Sequence, residues 1–428
     1  MADNEEPAIN YLRREDRLHG GWPFHYVHVD HTQLDCVVDI EIENGTIEQI
    51  RPWLTIAIEA QSRPVVAFYL SCHPPSAISC MMVMRDMVRR HRRRPDMLIF
   101  DYGKEFTSDA FKRLMKKLRM DFRQRPPHKA RYGSVCERMF GTTNTKLIHN
   151  LLGNTKALQH VRTVTKSVDP WRGDHLSFAV LHGLLEYFFF SEYNNTEHPA
   201  RGLTPNRSME LQFRKLGFRN KTFVPYDHRL YIATCIPPFE RGPTRKIHKK
   251  DGILANYTYY WSEEFSNPAW HNKNVEVLID MWNPAVAWAD LDGTWVPCVS
   301  RFLMQFPRLT SVELKYLIYK TWRNVKTWTD YDEFKKQFED AVDDVGSLSA
   351  AAAATAATRP IYEAAGLTLS RFSNDACQID LPFSVRFPRR QHQSAPSTVR
   401  EETQPQSSSD FDYDELPLLQ PISRDEPL

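Results

Sequence analysis

The sequence predicts a mixed α/β domain over residues 23–218, followed by a small all-β domain over 225–302 and a helical segment over 308–345. An N-terminal extension of residues 1–22 precedes them, and a disordered tail over 346–428 follows. The first domain shows short apolar runs bounded by polar turns, which are typical of covered strands, between segments of helical period. The second shows Asp-Gly turn dipeptides and period-two alternation. The tail has too little apolar content to offset its ordering entropy.

The α/β domain begins with four predicted strands, near 23–30, 34–42, 53–59 and 65–71. Pro75-Ser76 then starts a helix. Its apolar residues recur at helical spacing on one face, namely Ala77, Met81, Met84 and Val88.

A buried strand, Met97-Leu98-Ile99-Phe100, follows and ends at Asp101. Ser108 is placed to cap a second helix, and a strand near 120–124 comes after it. A later helix, over about 174–193, is apolar nearly all round, so we expect it to be buried.

The all-β domain is marked by two strong hairpin-turn dipeptides, Asp251-Gly252 and Asp292-Gly293. Between them, alternate residues are apolar, as in a half-buried strand: Val275, Val277, Ile279 and Met281. This pattern predicts a small barrel. Residues 310–345 then carry helical periodicity.

Three acidic residues carry the functional prediction: Asp30 in HVDHTQLD, Asp101 in LIFDYGKEF and Glu137 in RYGSVCERMFGT. A strand ends at each Asp, and a helix opens at the Glu. Ligands gather beyond the carboxyl ends of strands in α/β sheets, so we expect the three carboxylates to converge. Such a trio suits two Mg²⁺ ions ~3.5–4 Å apart, the arrangement that drives in-line displacement at a phosphodiester. For each acid alone, the alternative is a solvated turn residue or helix cap.

Four segments resemble the catalytic core of DDE transposases: VHVDHTQLD, RPWLTIAIEAQSR (51–63), DYGKEF and YGSVCERMFGTTNTKL (132–147). The branch most similar to them is the Mu-type and TniA-like group, which is related to retroviral integrases. YNNTEHPARGLTP (193–205) resembles the segment that closes that core. The resemblance covers roughly residues 23–300. It implies a ribonuclease-H-like fold for 23–218, the integrase catalytic core, and a Mu-type C-terminal β-barrel for 225–302.

The resemblance also implies an activity, that of a DNA transposase or integrase. It would cleave at transposon ends and then join the 3′-hydroxyl to target DNA. Asp30, Asp101 and Glu137 would be both the catalytic residues and the ligands of two Mg²⁺ ions, with Mn²⁺ as a substitute. The family implies a homo-oligomer on double-stranded DNA.

The sequence departs from the family in two side chains and in its start. Tyr102 stands where Asn is usual, and Glu59 where Asp is common. About 22 residues precede the core, where the family carries helix-turn-helix domains. We therefore expect recognition of the transposon ends to be lost or to come from another polypeptide.

Basic residues in three places are the predicted DNA contacts. Two lie in the loop before Glu137, two flank its helix, and four lead into the barrel: Lys129, Arg131, Arg138, Lys146, Arg245, Lys246, Lys249 and Lys250. The alternatives are a merely solvated loop and a purely structural barrel.

The C-terminal end interleaves acids with five apolar residues, Phe411, Tyr413, Leu416, Leu418 and Leu419. This pattern suits a motif that orders on a partner, although an unspecific solubilising tail is the alternative. Relatives work with an AAA+ ATPase that selects target DNA, and we expect the tail to bind such a protein. From Arg400 onward two basic residues face eight acidic ones, which leaves +8 for the rest of a chain of net charge +2. A basic body suits a DNA partner.

Cysteine usage argues for a reducing cytoplasm, and the resemblance implies a bacterial protein that is associated with the nucleoid when bound to DNA. Seven cysteines are scattered without a CxxC pair, which argues against a structural zinc site or disulfides. The first residues are acidic and polar, unlike a signal peptide. Because no 18-residue apolar run exists, no membrane span is expected.

Two rival functions follow from the same residues. One is a ribonuclease-H-like nuclease that cuts without joining, against which the predicted barrel and tail argue. The other is a non-catalytic, DNA-binding remnant of a transposase, against which the intact acidic trio argues.

Overall fold

The structure, a computed structural model, describes most of the chain in segments. These are residues 20–42, 45–101, 108–124, 134–156, 171, 174–198, 202–239, 242–306, 309, 311–324, 331–344, 350–368, 372–373 and 378–379. The predicted tail motif from Phe411 to Leu419 lies outside them, as do Lys129, Arg131 and Tyr102. None of the described helices is long and apolar enough to cross a membrane.

Sixteen strands lie within the described residues. Those of the first half are β1 (Tyr26–Gln33), β2 (Val38–Glu41), β3 (Ile47–Ile50), β4 (Trp53–Glu59), β5 (Val65–Ser71), β6 (Met97–Phe100), β7 (Asp121–Gln124) and β8 (Leu176–Ser177). Those of the second half are β9 (Thr244–His248), β10 (Gly252–Ala255), β11 (Thr258–Tyr260), β12 (Asn274–Ile279), β13 (Val286–Leu291), β14 (Thr294–Val299), β15 (Phe372–Ser373) and β16 (Gln378–Ile379).

Nine α-helices accompany these strands in the described part of the chain. They are α1 (Ala77–His91), α2 (Asp109–Lys117), α3 (Ser134–Lys146), α4 (Phe178–Glu186), α5 (Pro205–Leu216), α6 (His228–Ala233), α7 (Ser311–Asn324), α8 (Tyr331–Asp344) and α9 (Ala350–Ala364).

The first sheet has five strands in the order β5-β4-β1-β6-β7. β4 is antiparallel to both of its neighbours, β1 and β5, whereas β6 runs parallel to β1 and β7 parallel to β6. β2, β3 and β8 form a separate three-stranded sheet. The prediction of a mixed α/β domain is confirmed.

The two predicted helix starts are confirmed. The Ser76 side chain accepts a hydrogen bond from the backbone N–H of Ile78 at the start of α1, and Ser108 accepts one from Phe111 at the start of α2. α1 lies on β5 and β4, and its predicted apolar face is buried at Met81, Met84 and Val88. This packing forms the core beneath the first sheet.

Three predictions about the first domain were wrong. β1 does not end at Asp30 but continues to Gln33, because β4 pairs with it as far as Trp53. The strand predicted over 34–42 is shorter and forms β2. It pairs with β3, a strand that was not predicted. The helix expected over 174–193 starts at Phe178 and ends in a π-helical turn, Tyr187–Glu192. It is exposed along one side, at Val180 and Tyr187, because its partners cover only the other side.

The second-half sheet has six strands in the order β11-β10-β9-β12-β13-β14. Trp261, just after β11, exchanges two backbone hydrogen bonds with Val299 at the end of β14, of 2.9 and 2.8 Å. These bonds join the two outer strands. Both Asp-Gly turns occur where predicted, and Gly252 has φ +77°, where an added Cβ would meet the Tyr260 carbonyl oxygen at 2.2 Å.

In the segment 308–345, which was predicted to be helical, the described residues form α7 and α8. The prediction of disorder beyond 346 was wrong for α9. The helix contains a run of alanines, and alanine has the highest intrinsic helix propensity of all residues. In addition, α9 packs against β2, β3 and α4. Tyr362 at its end is buried against Tyr69 and Trp282.

Candidate metal centre and DNA surface

The two predicted aspartates belong to neighbouring parallel strands, since Asp30 lies in β1 and Asp101 directly follows β6. The register of β1 and β6 runs from Tyr26 opposite Met97 to His28 opposite Ile99. Continued by two residues, the same register sets Asp30 opposite Asp101, which directly follows β6. Because adjacent strands are roughly 4.8 Å apart, this register sets the backbones of the two aspartates at neighbouring points near the end of β6.

Asp30 is oriented by its own strand. Its Oδ1 accepts a hydrogen bond of 2.9 Å from the backbone N–H of His31. The Nδ1 atom of His31 is 2.7 Å from the Oγ1 atom of Thr55, which is buried on β4. β4 thus supports the Asp30 end of β1 through a side-chain contact. His31 and Thr55 were not among the predicted site residues, although the polar run HVDHT is unusual for an inner strand.

Glu137 lies in the first turn of α3 and its side chain is exposed. The opposite side of α3 is buried at Cys136, Met139 and Thr143, and the helix packs against β1 and β4. The helix that carries Glu137 therefore rests on the strand that carries Asp30. The sequence prediction of a helix at this point is confirmed.

The donors have the chemistry that Mg²⁺ requires. All three are carboxylates, and a hard cation needs only two or three such oxygen ligands beside water and substrate phosphate. Within the described ranges, however, no three His, Cys, Asp or Glu side chains are grouped closely enough to hold a metal ion. Asp30 and Asp101 are level, but Glu137 does not complete a group with them.

The predicted DNA contacts fall on two elements of the described structure. Arg138 and Lys146 are exposed on α3, the helix of Glu137. Lys246 is exposed on β9, and Lys249 and Lys250 are exposed in the turn that follows it.

Arg245, also on β9, is only partly exposed, and its Nη1 donates to the carbonyl oxygens of Gly242 and Thr244 at 2.8 and 2.9 Å. Arg245 therefore holds the chain that enters β9. The other predicted residues of the second-half sheet present their charges to solvent.

The arginine run that ends α1 has a structural role. The side chains of Arg89 and Arg90 pair with buried Asp86 at 2.7 and 2.9 Å, and Arg90 also pairs with Glu186 at 2.6 Å. The guanidinium of Arg93 lies 4.8 Å from the ring centroid of Phe218. These contacts tie α1 to α4 and to the chain after α5.

Two comparisons rest on sequence, and the first of them covers the region of the three acids. Residues 28–153 match the family model described as the TnsB C-terminal domain. Over 183 residues the chain is 26% identical to a protein named "Transposase for transposon Tn552" from Staphylococcus aureus. That alignment takes in 41% of this chain and 35% of the relative, so the match spans about a third of the relative's length.

Solved structures with partial likeness are retroviral integrases. An intasome of simian T-cell lymphotropic virus with the PP2A regulatory subunit B56 gamma matches over 67% of this chain and 79% of that chain, with 12% identity and a TM-score of 0.31. The catalytic core of BIV integrase matches over 45% and 98%, with 15% identity and a TM-score of 0.27. The HTLV-2 core with magnesium matches over 44% and 99%, with 13% identity and a TM-score of 0.28. At such low TM-scores, the sheet order described above defines the fold, and these likenesses do not.

Proposed function

We propose that this chain is a DNA transposase of the DDE type, with a ribonuclease-H-like catalytic domain over 23–218. The observation that carries the proposal is the placement of Asp30 level with Asp101, beside the helix of Glu137. All three lie inside the region that matches the TnsB C-terminal domain. The named transposase relative adds support from a second comparison. The reaction would be cleavage at transposon ends, followed by transfer of the 3′-hydroxyl to target DNA.

Asp30, Asp101 and Glu137 would hold two Mg²⁺ ions, with Mn²⁺ as a substitute. When bound, such ions activate the attacking oxygen and stabilise the leaving 3′-oxygen of an in-line displacement.

The protein's own contribution is orientation. The backbone N–H of His31 fixes one oxygen of Asp30, and the contact between His31 and Thr55 holds that segment of β1 against β4. Supporting groups of this kind set the geometry of ligands and tune their basicity. The α3 helix, which carries Glu137, packs against β1 and β4.

The proposed partner is double-stranded DNA, both as transposon ends and as target. Arg138 and Lys146 would contact phosphates beside Glu137, with Lys129 and Arg131 from the preceding loop. Lys246, Lys249 and Lys250 would contact DNA from the second-half sheet, which we interpret as a Mu-type barrel. Phosphate contacts of this kind position a protein on DNA without reading sequence. We further propose a homo-oligomer on DNA and an AAA+ ATPase bound by the acidic tail.

The decisive experiment uses a branched DNA that mimics the strand-transfer product, incubated with the full chain and Mg²⁺ or Mn²⁺. This substrate demands only the catalytic domain, so end-recognition domains are not needed. We expect metal-dependent resealing, and we expect Glu137→Gln to abolish it while folding and DNA binding persist. Glu263→Gln, at an exposed position in the second half of the chain, is the matched control and should reseal normally.

Three results would contradict the proposal. Resealing by Glu137→Gln at the wild-type rate would remove Glu137 from the site. Cleavage without joining, seen from the product ends, would identify a nuclease. DNA binding that needs no metal and leads to no reaction, from a folded protein, would identify a non-catalytic remnant.

A further inference from the structure

A pocket of about 300 Å³ opens on the second-half sheet at the place where its two outer strands meet. Its walls are mainly aromatic, and two cations stand among them: Tyr259, Trp261, Phe302, Tyr331, Arg301 and Lys335 line it. Pockets that bind small ligands begin at roughly this volume. None of these residues belongs to the predicted metal centre or to the predicted DNA contacts.

The aromatic walls are held in place by their neighbours. The rings of Tyr259 and Tyr331 meet edge to face with centroids 4.9 Å apart. Phe302 is buried, and its ring also meets Tyr331 edge to face at 6.4 Å. The backbone of Trp261 is fixed by its two hydrogen bonds to Val299. The walls are therefore formed before any ligand arrives, and a flat ring can stack on them at little entropic cost.

The charges around the pocket favour an anionic group beside that flat ring. Arg301 is exposed at the pocket, and the Nζ atom of Lys335 lies 5.2 Å from the ring centroid of Tyr331. Asp332 offsets part of this charge, because its carboxylate lies 2.5 Å from Lys335. Burial raises the pKa of Tyr331 to about 12, so its hydroxyl adds no negative charge at neutral pH.

Two more basic residues directly precede a lining residue of the pocket in the sequence. Asp251 is part of the lining, and the exposed Lys249 and Lys250 immediately precede it in the β9–β10 turn. These lysines were predicted from the sequence as phosphate contacts. Gln305, exposed at the pocket, carries an amide that can both donate and accept hydrogen bonds.

We propose that this pocket takes one unpaired nucleotide of a DNA strand, with the base against the aromatic walls and its phosphate at Arg301 and Lys335. This inference rests on the proposed function in one respect, the choice of DNA as the ligand. Stacking on aromatic side chains beside a basic surface is how proteins bind single strands without sequence preference. The amide of Gln305 and the carboxylate of Asp251 would meet the polar edge of the base.

The test compares a labelled single strand of about 12 nucleotides with the blunt duplex of the same sequence. Fluorescence anisotropy is measured on the full chain in the presence of a metal chelator. We expect Tyr259→Ala to weaken single-strand binding about 10-fold and to leave duplex binding within about two-fold. Tyr259→Phe should bind like the wild type, since it keeps the ring. Tyr316→Ala, at an exposed tyrosine on α7, is the matched control and should change neither affinity.

A second variant tests the phosphate contact without touching a wall. Arg301→Ala should weaken single-strand binding and reduce the slope of log affinity against log salt by about 1. Lys215→Ala, which removes an exposed cation from α5, should not weaken single-strand binding more than duplex binding. Should Tyr259→Ala prove unfolded in a thermal melt, Arg301→Ala and Gln305→Ala decide the question, because both change exposed side chains.

Three outcomes would overturn the inference. One is unchanged single-strand affinity in folded Tyr259→Ala and Arg301→Ala. Another is an equal loss for single strand and duplex. The third is displacement of the oligonucleotide by an acidic, tyrosine-containing peptide that binds more tightly, which would make the pocket a protein-binding site.

Failure of this inference and failure of the proposed function are distinguishable. The binding assay contains no metal and needs no reaction, whereas the branched-DNA assay measures joining alone. Selective single-strand binding by a protein that never joins DNA would overturn only the proposed function. Joining by a protein whose pocket variants bind single strands normally would overturn only the pocket.

Discussion

Glu59 is a fully buried carboxylate at the end of β4, just before the turn that leads into β5. Its two oxygens accept hydrogen bonds from the backbone N–H groups of Gln61 at 3.0 Å and Ser62 at 2.6 Å. Burial outweighs these bonds and raises the pKa of Glu59 to about 7. The residue was noted in the sequence only as a departure from the related transposases. Its place in the register, opposite Val27, puts it near the start of β1, away from Asp30.

A pH-dependent stability follows from Glu59. The folded state holds a proton that the unfolded state releases above its ordinary pKa of 4.5, so stability falls as pH rises from 4.5 to about 7. The effect is on the order of 3 kcal/mol. We expect Glu59→Gln to flatten this part of the pH profile, measured as the urea midpoint at several pH values. An unchanged profile would show that Glu59 does not titrate in this range.

His91 changes the stability of the protein with pH in the opposite direction. Its Nε2 lies 3.1 Å from the carbonyl oxygen of Val66, and burial lowers the pKa of His91 to about 4. The unfolded state therefore binds the extra proton, and stability falls as pH drops from 6.5 to about 4. We expect His91→Gln to lose less stability than the wild type in this acidic range. Equal losses in urea midpoint would contradict the assignment.

At this scale, the sequence shows the setting of single acids more readily than the side chains that surround them. Asp101 was recognisable because four apolar residues precede it and β6 ends there. The contact between His31 and Thr55 was not recognisable, because 24 positions separate the two and only the pairing of β1 with β4 brings them together. The same limit applies to Glu137, whose distance from the aspartates depends on how α3 rests on the sheet.

Among the elements, α9 shows how composition can mislead. An alanine run followed by polar residues was predicted to be part of a disordered tail, yet Tyr362 and Leu367 provide buried anchors. The apolar content of a segment gives the number of its apolar residues, but it does not show whether other parts of the chain bury them. The exposed side of α4 was mispredicted for the same reason, since the sequence does not show which side of a helix has a partner.

The anchor of α9 gives a testable stability change. Tyr362 packs against Tyr69 and Trp282 with ring centroids 5.2 Å away in each case, and its hydroxyl donates to the Leu70 carbonyl oxygen. We expect Tyr362→Ala to destabilise the protein by about 3–5 kcal/mol in urea unfolding. Tyr362→Phe should cost about 1 kcal/mol, the hydrogen bond alone. A normal urea midpoint for Tyr362→Ala would mean that α9 is not docked.

The α3 helix gives a test on DNA binding. Arg138 and Lys146 are exposed on the same helix as Glu137, the first directly after it and the second in the last turn, so each is available for one phosphate contact. We expect Arg138→Ala and Lys146→Ala each to weaken duplex binding for any sequence and to lower the salt slope by about 1. Lys116→Ala, an exposed lysine on α2, is the control. Unchanged salt slopes would place the DNA elsewhere.

At the scale of the whole molecule, one buried arginine connects four parts of the chain. Arg85 on α1 donates to the Thr234 hydroxyl after α6 at 2.6 Å and to the Leu367 carbonyl oxygen after α9 at 2.8 Å. Its guanidinium lies 3.9 Å from the carboxylate of Asp280, which follows β12. Tyr231 donates to the same carboxylate at 2.5 Å. No local sequence pattern could predict a contact among residues so far apart.

Breaking this connection should affect the whole chain. Asp280→Asn removes the charge that compensates Arg85 in a fully buried site, and we expect a loss of about 3–5 kcal/mol. The double variant Arg85→Met/Asp280→Asn should lose less than the sum of the single variants. Urea unfolding followed by circular dichroism measures both. Additive losses would show that the two residues do not interact.

The bond pair between Trp261 and Val299 has a consequence for crowding. An outer strand normally presents a row of unused backbone groups, onto which an extended segment of another copy can add, and such addition leads to aggregation. Here the ends of the first and last strands of the second-half sheet use two such groups on each other, at Trp261 and Val299. Many copies gathered on one DNA molecule would therefore meet through side chains at this sheet. They would stay separable there rather than growing into a continuous fibre.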